Sequence, residues 1–198
     1  MTKLLVLALW AFVLVGCANS PSVQFFVLEP LSQSAPVMAT DTGQRTIGIG
    51  PVSLPSMLEH KQIVTRWSDN TVKMAEFQHW ASPLQDNVVQ VLARNLSSLQ
   101  PNNIVRTYPW SVHGMVDYQV IVDIVRFDTT PGKSADLEAN WTIKDEAGHK
   151  ALKSGRSIIK HVLGDTSYPA NVRALSKILS QFSQELSLAL LQVDVSKH

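Results

Sequence analysis

Two stretches of the chain place apolar residues three or four positions apart, which is the spacing of one face of an α-helix. They are residues 82–100 and residues 170–192. In the first stretch, Ser82 is a predicted N-cap, Pro83 suits the first helical position, and Gln85 would complete a capping box. The pattern therefore predicts two amphipathic helices, each with one apolar face to bury.

The remaining apolar runs have the alternation or the β-branched content of strands. The predicted strands are, in chain order, residues 23–30, 46–55, 62–67, 71–77, 104–107, 117–130, 135–145 and 150–163. The third and fourth flank the polar pair Asp69-Asn70 and read as a hairpin, and the last three as an antiparallel meander. We predict an α/β fold of the α+β type, in which two amphipathic helices cover one mixed, mostly antiparallel sheet in a single domain.

The N-terminus has the pattern of an export signal. One charge, Lys3, precedes an unbroken apolar run over residues 4–15, which is too short to span a bilayer comfortably. A buried core helix is the alternative interpretation. The position, the composition and the small residue that follows favour a signal peptide over residues 1–16.

The residues Leu14-Val15-Gly16-Cys17 resemble the bacterial lipobox. The resemblance implies signal cleavage between Gly16 and Cys17, with S-diacylglycerol and N-acyl (palmitate) chains on Cys17, and two or more chains anchor a protein stably. Ala18 stands where an aspartate would retain the protein at the inner membrane in enteric bacteria, so the resemblance favours the periplasmic face of the outer membrane. We expect a lipidated tether at residues 17–22 and a folded domain at residues 23–198.

The charge balance of the chain argues against nucleic acid as a partner. Removing residues 1–16 removes one lysine, so the formal net charge falls from +1 to about zero. A neutral chain argues against nucleic-acid binding, which needs clustered Lys and Arg. Cys17 is the only cysteine, so acylation would leave no thiol for a disulfide or a redox pair.

Candidate chemistry is sparse. No two of the six histidines have the spacing of a helical metal pair, and neither a P-loop nor a G-x-S-x-G motif is present. Asp117, Asp123 and Asp128 read as ordinary strand-edge carboxylates, and residues 128–136 as a turn rather than a calcium loop. We therefore predict no catalytic site, no metal and no cofactor.

Residues 54–80 hold more apolar and aromatic side chains than one hairpin needs to bury. The residues in question are Leu54, Met57, Leu58, Trp67 and Trp80. Two interpretations stay open: these side chains belong to the core, or part of the group forms an interface with a partner.

Four motifs, in this order, resemble a known family. They are Phe26-Val27-Leu28, where the family has tyrosine first, then residues 52–55 (VSLP), residues 62–66 (QIVTR) and residues 80–84 (WASPL). The chain is similar to the ABC-type transport auxiliary lipoproteins, the PqiC (YmbA) family. The resemblance implies a non-enzymatic outer-membrane subunit of a lipid transport system that supports membrane integrity. Its implied partners are an MCE-domain protein that bridges the periplasm, an inner-membrane component, and further copies of the chain in a ring.

Two other functions remain as alternatives. A tethered periplasmic enzyme would need clustered catalytic side chains in a cleft. A lipid- or small-molecule-binding lipoprotein acting alone would need one enclosed apolar pocket of several hundred Å³, on the order of known ligand sites.

Overall fold

The computed structural model describes residues 21–32, 44–110, 114–145 and 150–195. Its strands are β1 (Gln24–Phe26), β2 (Thr46–Ser53), β3 (Gln62–Ser68), β4 (Thr71–Trp80), β5 (Ile104–Thr107), β6 (Tyr118–Thr130), β7 (Ser134–Asp145) and β8 (Lys150–Val162). The α-helices are α1 (Leu84–Leu99) and α2 (Tyr168–Val195), and a 3₁₀ turn covers Ser56–Leu58. The predicted α+β class is confirmed.

The strands form two sheets rather than the single sheet that the sequence predicted. Five strands lie in the order β5-β2-β6-β7-β8, and three lie in the order β1-β4-β3. The meander β6-β7-β8 is antiparallel as predicted, whereas β2 is parallel to both β5 and β6. After β2 the 3₁₀ turn redirects the chain, so β3 packs against β6 without joining its sheet.

The core lies between the five-stranded sheet and the two helices. Helix α1 packs against β2 and β5, helix α2 packs against β6, β7 and β8, and the helices contact each other. Alternate residues of β6 are buried at this face: Tyr118, Val120, Val122 and Ile124. Burial of these side chains supplies the main driving force for folding, at roughly 25 cal/mol per Å² of apolar surface.

Close packing at one point of the sheet requires glycine. The ring of Trp141 on β7 occupies the space that a Cβ at Gly155 on β8 would fill. The indole Nε1–H of Trp141 donates to Ser157 Oγ at 3.1 Å, and Ser157 donates in turn to Glu185 of α2. The glycine therefore lets one tryptophan connect the sheet to the helix.

The start of α1 differs from the predicted capping box. Pro83 occupies the cap position with extended backbone angles, and no side chain caps the helix. The Gln85 amide does not turn back to Ser82; it donates to the Val52 carbonyl of β2 at 2.7 Å. A tertiary hydrogen bond has replaced the local one, because β2 lies within reach of the first helical turn.

The predicted first strand ends early. Strand β1 covers only three residues, and residues 27–31, which we term the strap, leave the sheet and cross both helices. Three strap N–H groups donate to helix side chains: Leu28 to Asn87 Oδ1 (3.3 Å), Glu29 to Ser176 Oγ (3.0 Å) and Leu31 to Asn95 Oδ1 (2.7 Å). The completely buried Asn95 also donates from Nδ2 to Ser183 Oγ of α2 at 3.0 Å. The strap therefore ties the N-terminal segment to α1 and α2 together.

A buried carboxylate joins the two sheets. Asp128 of β6 accepts from Arg66 of β3, at 2.7 Å from Nη2 and 3.0 Å from Nε, and its other oxygen accepts from Arg126 at 3.0 Å. The hydrogen bond to Asp128 raises the pKa of the Arg66 guanidinium. Because both carboxylate oxygens have charged partners, this buried acid is fully compensated.

Replacing Asn95 by alanine should lower the free energy of unfolding by about 1–3 kcal/mol, since it removes the acceptor of Leu31 and the donor to Ser183 in a buried site. Urea unfolding followed by circular dichroism measures the change. Ser98→Ala on the exposed side of the same helix is the control and should change stability by less than about 0.5 kcal/mol. Equal effects of the two substitutions would contradict the role given to Asn95.

Asp128→Asn should cost about 2 kcal/mol, because it leaves two guanidinium groups without their shared charge. The cost stays below that of a fully buried pair, because the side chains of Arg66 and Arg126 are 24% and 35% exposed. The control is Glu138→Gln, which removes the more exposed pair with Arg156 and should cost less than about 1 kcal/mol in the same urea assay. If the control proves the more damaging of the two, the bridge between the sheets is not held by Asp128.

Candidate functional site

The predicted lipid attachment site lies outside the described residues. This applies to Gly16 and Cys17, so their cleavage and acylation stay predictions. The described chain begins at Pro21, directly before β1. The pairing of β1 with β4 and the strap that follows hold these first described residues on the domain.

The segment next to the predicted anchor exposes apolar side chains. Val23 is 42% exposed, Phe25 68% and Val27 53%. The Phe25 ring meets His79 of β4 edge to face, with the ring centroids 6.1 Å apart. These three side chains form an apolar surface only a few residues from Cys17.

Three of the five predicted interface residues come together at one cleft, which we term the Trp80 cleft. Its volume is about 530 Å³, and its apolar lining includes Leu54, Leu58 and Trp80. Leu58 and Trp80 are themselves buried, so they belong to the core and form the cleft floor. Leu54 is half-buried in this lining, and Met57, next to Leu58 in the 3₁₀ turn, is half-buried against the core.

The rim of the Trp80 cleft is polar. It carries the exposed residues Glu59, His60 and Lys61, between the 3₁₀ turn and β3. The position of Trp80 is set by its backbone N–H, which donates to the Lys61 carbonyl at 2.7 Å. The cleft thus combines an apolar floor with a charged rim.

Trp67, the fifth predicted interface residue, lies in a different place. It is 63% exposed at the end of β3, and Lys73 Nζ of β4 lies 3.3 Å from its ring centroid. Both residues line a second cleft of about 560 Å³. Of the five predicted residues, three therefore line the first cleft, Trp67 lines the second, and Met57 lines neither.

The strand carboxylates have structural partners. Asp117 accepts from the Thr46 N–H at 2.7 Å, and Asp123 accepts from Ser53 Oγ at 2.6 Å, so both attach β2 to the β6 segment. Asp128, predicted like them as an ordinary strand-edge carboxylate, is instead buried on the central strand β6 in its pair with Arg66 and Arg126. Within the described ranges, no three His, Cys, Asp or Glu side chains are arranged to hold a metal ion.

Among the described residues, no helix is both long enough and apolar enough to cross a membrane.

Comparison with known structures shows where this fold has been seen before. It is similar to the crystal structure of an uncharacterized protein, with a TM-score of 0.72, 18% identity, and coverage of 85% of this chain and 99% of that one. It is also similar to a protein of Xanthomonas campestris, with a TM-score of 0.71, 15% identity, and coverage of 88% and 98%. At these identities the likeness concerns the fold alone.

Sequence comparison is more specific. The chain is 29% identical over 174 residues to the intermembrane transport lipoprotein PqiC of Escherichia coli (strain K12), with 88% of each chain covered. A family model described as ABC-type transport auxiliary lipoprotein component matches residues 26–187, from the end of β1 far into α2. The resemblance drawn from the four sequence motifs is confirmed: the chain belongs to the family of ABC-type transport auxiliary lipoprotein components.

Proposed function

We propose that the chain is the outer-membrane-anchored lipoprotein subunit of an intermembrane lipid transport complex. In this role it docks a periplasm-spanning MCE-domain protein and supports membrane integrity. The observation that carries the proposal is the similarity over 88% of the chain to a protein named for intermembrane transport. The lipobox that ends at Cys17 supplies the anchor.

The anchor would hold β1 close to the bilayer. Gln24 is seven positions after Cys17, and a fully extended chain over seven positions spans at most about 25 Å. The exposed side chains of Val23, Phe25 and Val27 would then lie within reach of the headgroups. Because the strap fixes this segment on α1 and α2, a fixed side of the domain would face the membrane.

The Trp80 cleft is the docking surface that we favour. Protein interfaces combine an apolar centre with a polar rim, and their most important contacts are aromatic or aliphatic side chains held in pockets. The floor formed by Leu58 and Trp80, with Leu54 and Met57 beside it, has this character. An apolar side chain of the MCE partner would insert there.

We infer a non-catalytic role, since the family consists of transport auxiliary components rather than enzymes. The expected assembly contains the MCE-domain protein, the inner-membrane component and a homo-oligomeric ring of this chain. The support for the ring is the family resemblance.

A stand-alone binding lipoprotein is the second candidate. The observation that favours it is the size of the two clefts, about 530 and 560 Å³, which is enough for a small ligand. Both lie at the surface rather than forming the enclosed apolar pocket expected of a lipid carrier. Deleting the partner genes discriminates the two functions. In a strain without the partners, loss of this chain would still have an effect only if the protein acts alone.

Cys17→Ser should abolish incorporation of labelled palmitate and leave the uncleaved precursor, because the hydroxyl cannot take the place of the thiol. Gel mobility and the intact mass of the N-terminal peptide measure both effects. Ser20→Ala in the same tether is the matched control and should be acylated normally. Palmitate labelling of the Cys17→Ser protein would contradict the assignment of the anchor.

Ala18→Asp tests the membrane assigned to the protein. By the sorting rule that the lipobox resemblance implies, this protein should move from the outer-membrane to the inner-membrane fraction of a density gradient while it stays acylated. An unchanged distribution would remove the support for outer-membrane sorting and leave the acylation result untouched.

A photo-crosslinking residue at Met57 should capture the MCE-domain protein in intact cells, since Met57 is half-buried and directly precedes Leu58, which lines the Trp80 cleft. The same residue at the exposed Lys177 of α2 is the control and should capture little of it. Mass spectrometry of the purified crosslinks identifies the partner. Recovery of no MCE-domain protein from either position would count against the proposed function, and equal recovery from both would count against this docking surface.

A further inference from the structure

We propose that the second cleft, which we term the Lys133 cleft, binds a phosphate group, carried either by a lipid headgroup or by a soluble molecule. Its lining includes Arg66, Trp67, Lys73, Lys133 and Asn171, and its volume is about 560 Å³. The proposal rests on these described residues and goes beyond the docking role, because it gives the domain a ligand of its own.

The cleft is assembled from segments that hydrogen bonds hold together. The hairpin of β3 and β4 forms one wall, and the turn from β6 to β7 forms another. The Gly132 N–H of that turn donates to the Asp165 carbonyl at 3.3 Å, and the Lys133 carbonyl accepts from the Leu163 N–H at 2.9 Å. The turn that carries Lys133 is therefore attached to the segment that leads into α2.

The cleft lining is positively charged, and within the described residues two of its three cationic side chains have no carboxylate partner. Three cationic side chains line it, and none of the described lining residues is acidic. Arg66 is neutralised by Asp128, but within the described part of the chain neither Lys133 nor Lys73 lies within ion-pair distance of a carboxylate. Lys73 instead lies over the Trp67 ring, whose face attracts a cation and leaves its N–H donors available.

The nearest acid at the start of α2 is already occupied. Asp165 accepts from the Ser167 N–H at 2.8 Å and from Ser167 Oγ at 3.0 Å. These hydrogen bonds lower the pKa of Asp165, so it stays ionised and directed toward Ser167. The positive charge of the two lysines therefore has no carboxylate partner within the cleft lining.

Asn171 supplies the second and independent observation. This residue of α2 is only 1% exposed and lines the cleft, yet both its Oδ1 and its Nδ2 lack a hydrogen-bond partner. A buried polar group without a partner costs on the order of 1–3 kcal/mol, so an amide with two such atoms indicates that a bonding group is missing. The Nδ2–H could donate to a phosphate oxygen, and Oδ1 could accept from a hydroxyl on the ligand.

The size of the cleft favours a phosphate ester over a bare ion. A volume of about 560 Å³ falls in the range of small-molecule sites, well above the roughly 30 Å³ that one water molecule occupies in the liquid. The exposed ring of Trp67 and the half-buried ring of Tyr168 offer apolar contact to the group that the phosphate carries. Burial raises the pKa of Tyr168, so its phenol stays neutral beside an anion.

The test titrates the full-length acylated protein in a non-ionic detergent by calorimetry, at constant ionic strength. One arm uses inorganic phosphate, and the other uses dihexanoyl phosphatidylglycerol as a short-chain lipid. Binding of the lipid but not of phosphate identifies a lipid headgroup, and comparable binding of both identifies a site for phosphate groups in general. Either result supports the proposal, and binding of neither probe overturns it.

The variants separate the site from general electrostatic attraction. Whichever probe binds, Lys133→Gln should weaken its affinity about tenfold, since the substitution removes a charge-assisted hydrogen bond. Lys177→Gln, an exposed lysine on α2 outside the cleft, is the matched control and should change affinity by less than about twofold. Equal weakening by the two substitutions would overturn the site.

Asn171→Leu distinguishes a ligand contact from a structural role. It removes the two unpartnered polar atoms and keeps the branched shape of the side chain, so it should reduce binding while the urea midpoint stays the same or rises. Unchanged binding would show that Asn171 does not face the ligand and would overturn its part in the site. The photo-crosslinking at Met57 does not depend on this cleft, so failure of the phosphate site and failure of the docking role are separate outcomes.

Discussion

The N-terminal part of the domain depends on one set of hydrogen bonds, those that Asn87, Asn95 and Ser176 accept from the strap. Each accepts from a backbone N–H of a segment that pairs with no strand, and such groups need partners when they leave water. Because Asn95 also donates to Ser183, one amide connects the strap, α1 and α2. Together with the pairing of β1 and β4, these contacts hold the segment that follows the predicted anchor on the domain.

Much of the fold could be predicted from the sequence, because the patterns that specify it are local. The alternation in β7 and the helical spacing in α2 each need no distant residue to be recognised. The prediction was wrong where distant partners decide. Gln85 bonds to Val52 instead of capping its own helix, and residues 27–30, predicted as strand, bond instead to side chains of the two helices. A short segment with apolar residues looks the same whether it forms a strand or lies on helices, so periodicity could not separate the two.

The candidate sites, like the fold, contain some residues that the sequence could indicate and others that it could not. Trp80 was recognisable as an unusual aromatic residue, but its sequence could not reveal that it forms the floor of a cleft rather than an exposed contact. Lys73, Lys133 and Asn171 gave no signal, because each is a common residue on a different element and only the packing of the hairpin against the β6–β7 turn brings them together. The orphan amide of Asn171 is visible only once its surroundings are known.

The strap also constrains the order of events during export. The partner of Glu29 is Ser176, 147 positions further along the chain, and the neighbours of β2 in its sheet, β5 and β6, both follow it in sequence. A chain exported amino terminus first, as the proposed signal peptide implies, would therefore not close this domain until nearly all of it had crossed the inner membrane. Forming contacts of such separation is slow, and the lipobox would meanwhile be attached to a chain without its native structure, open to the enzymes that modify and cleave it.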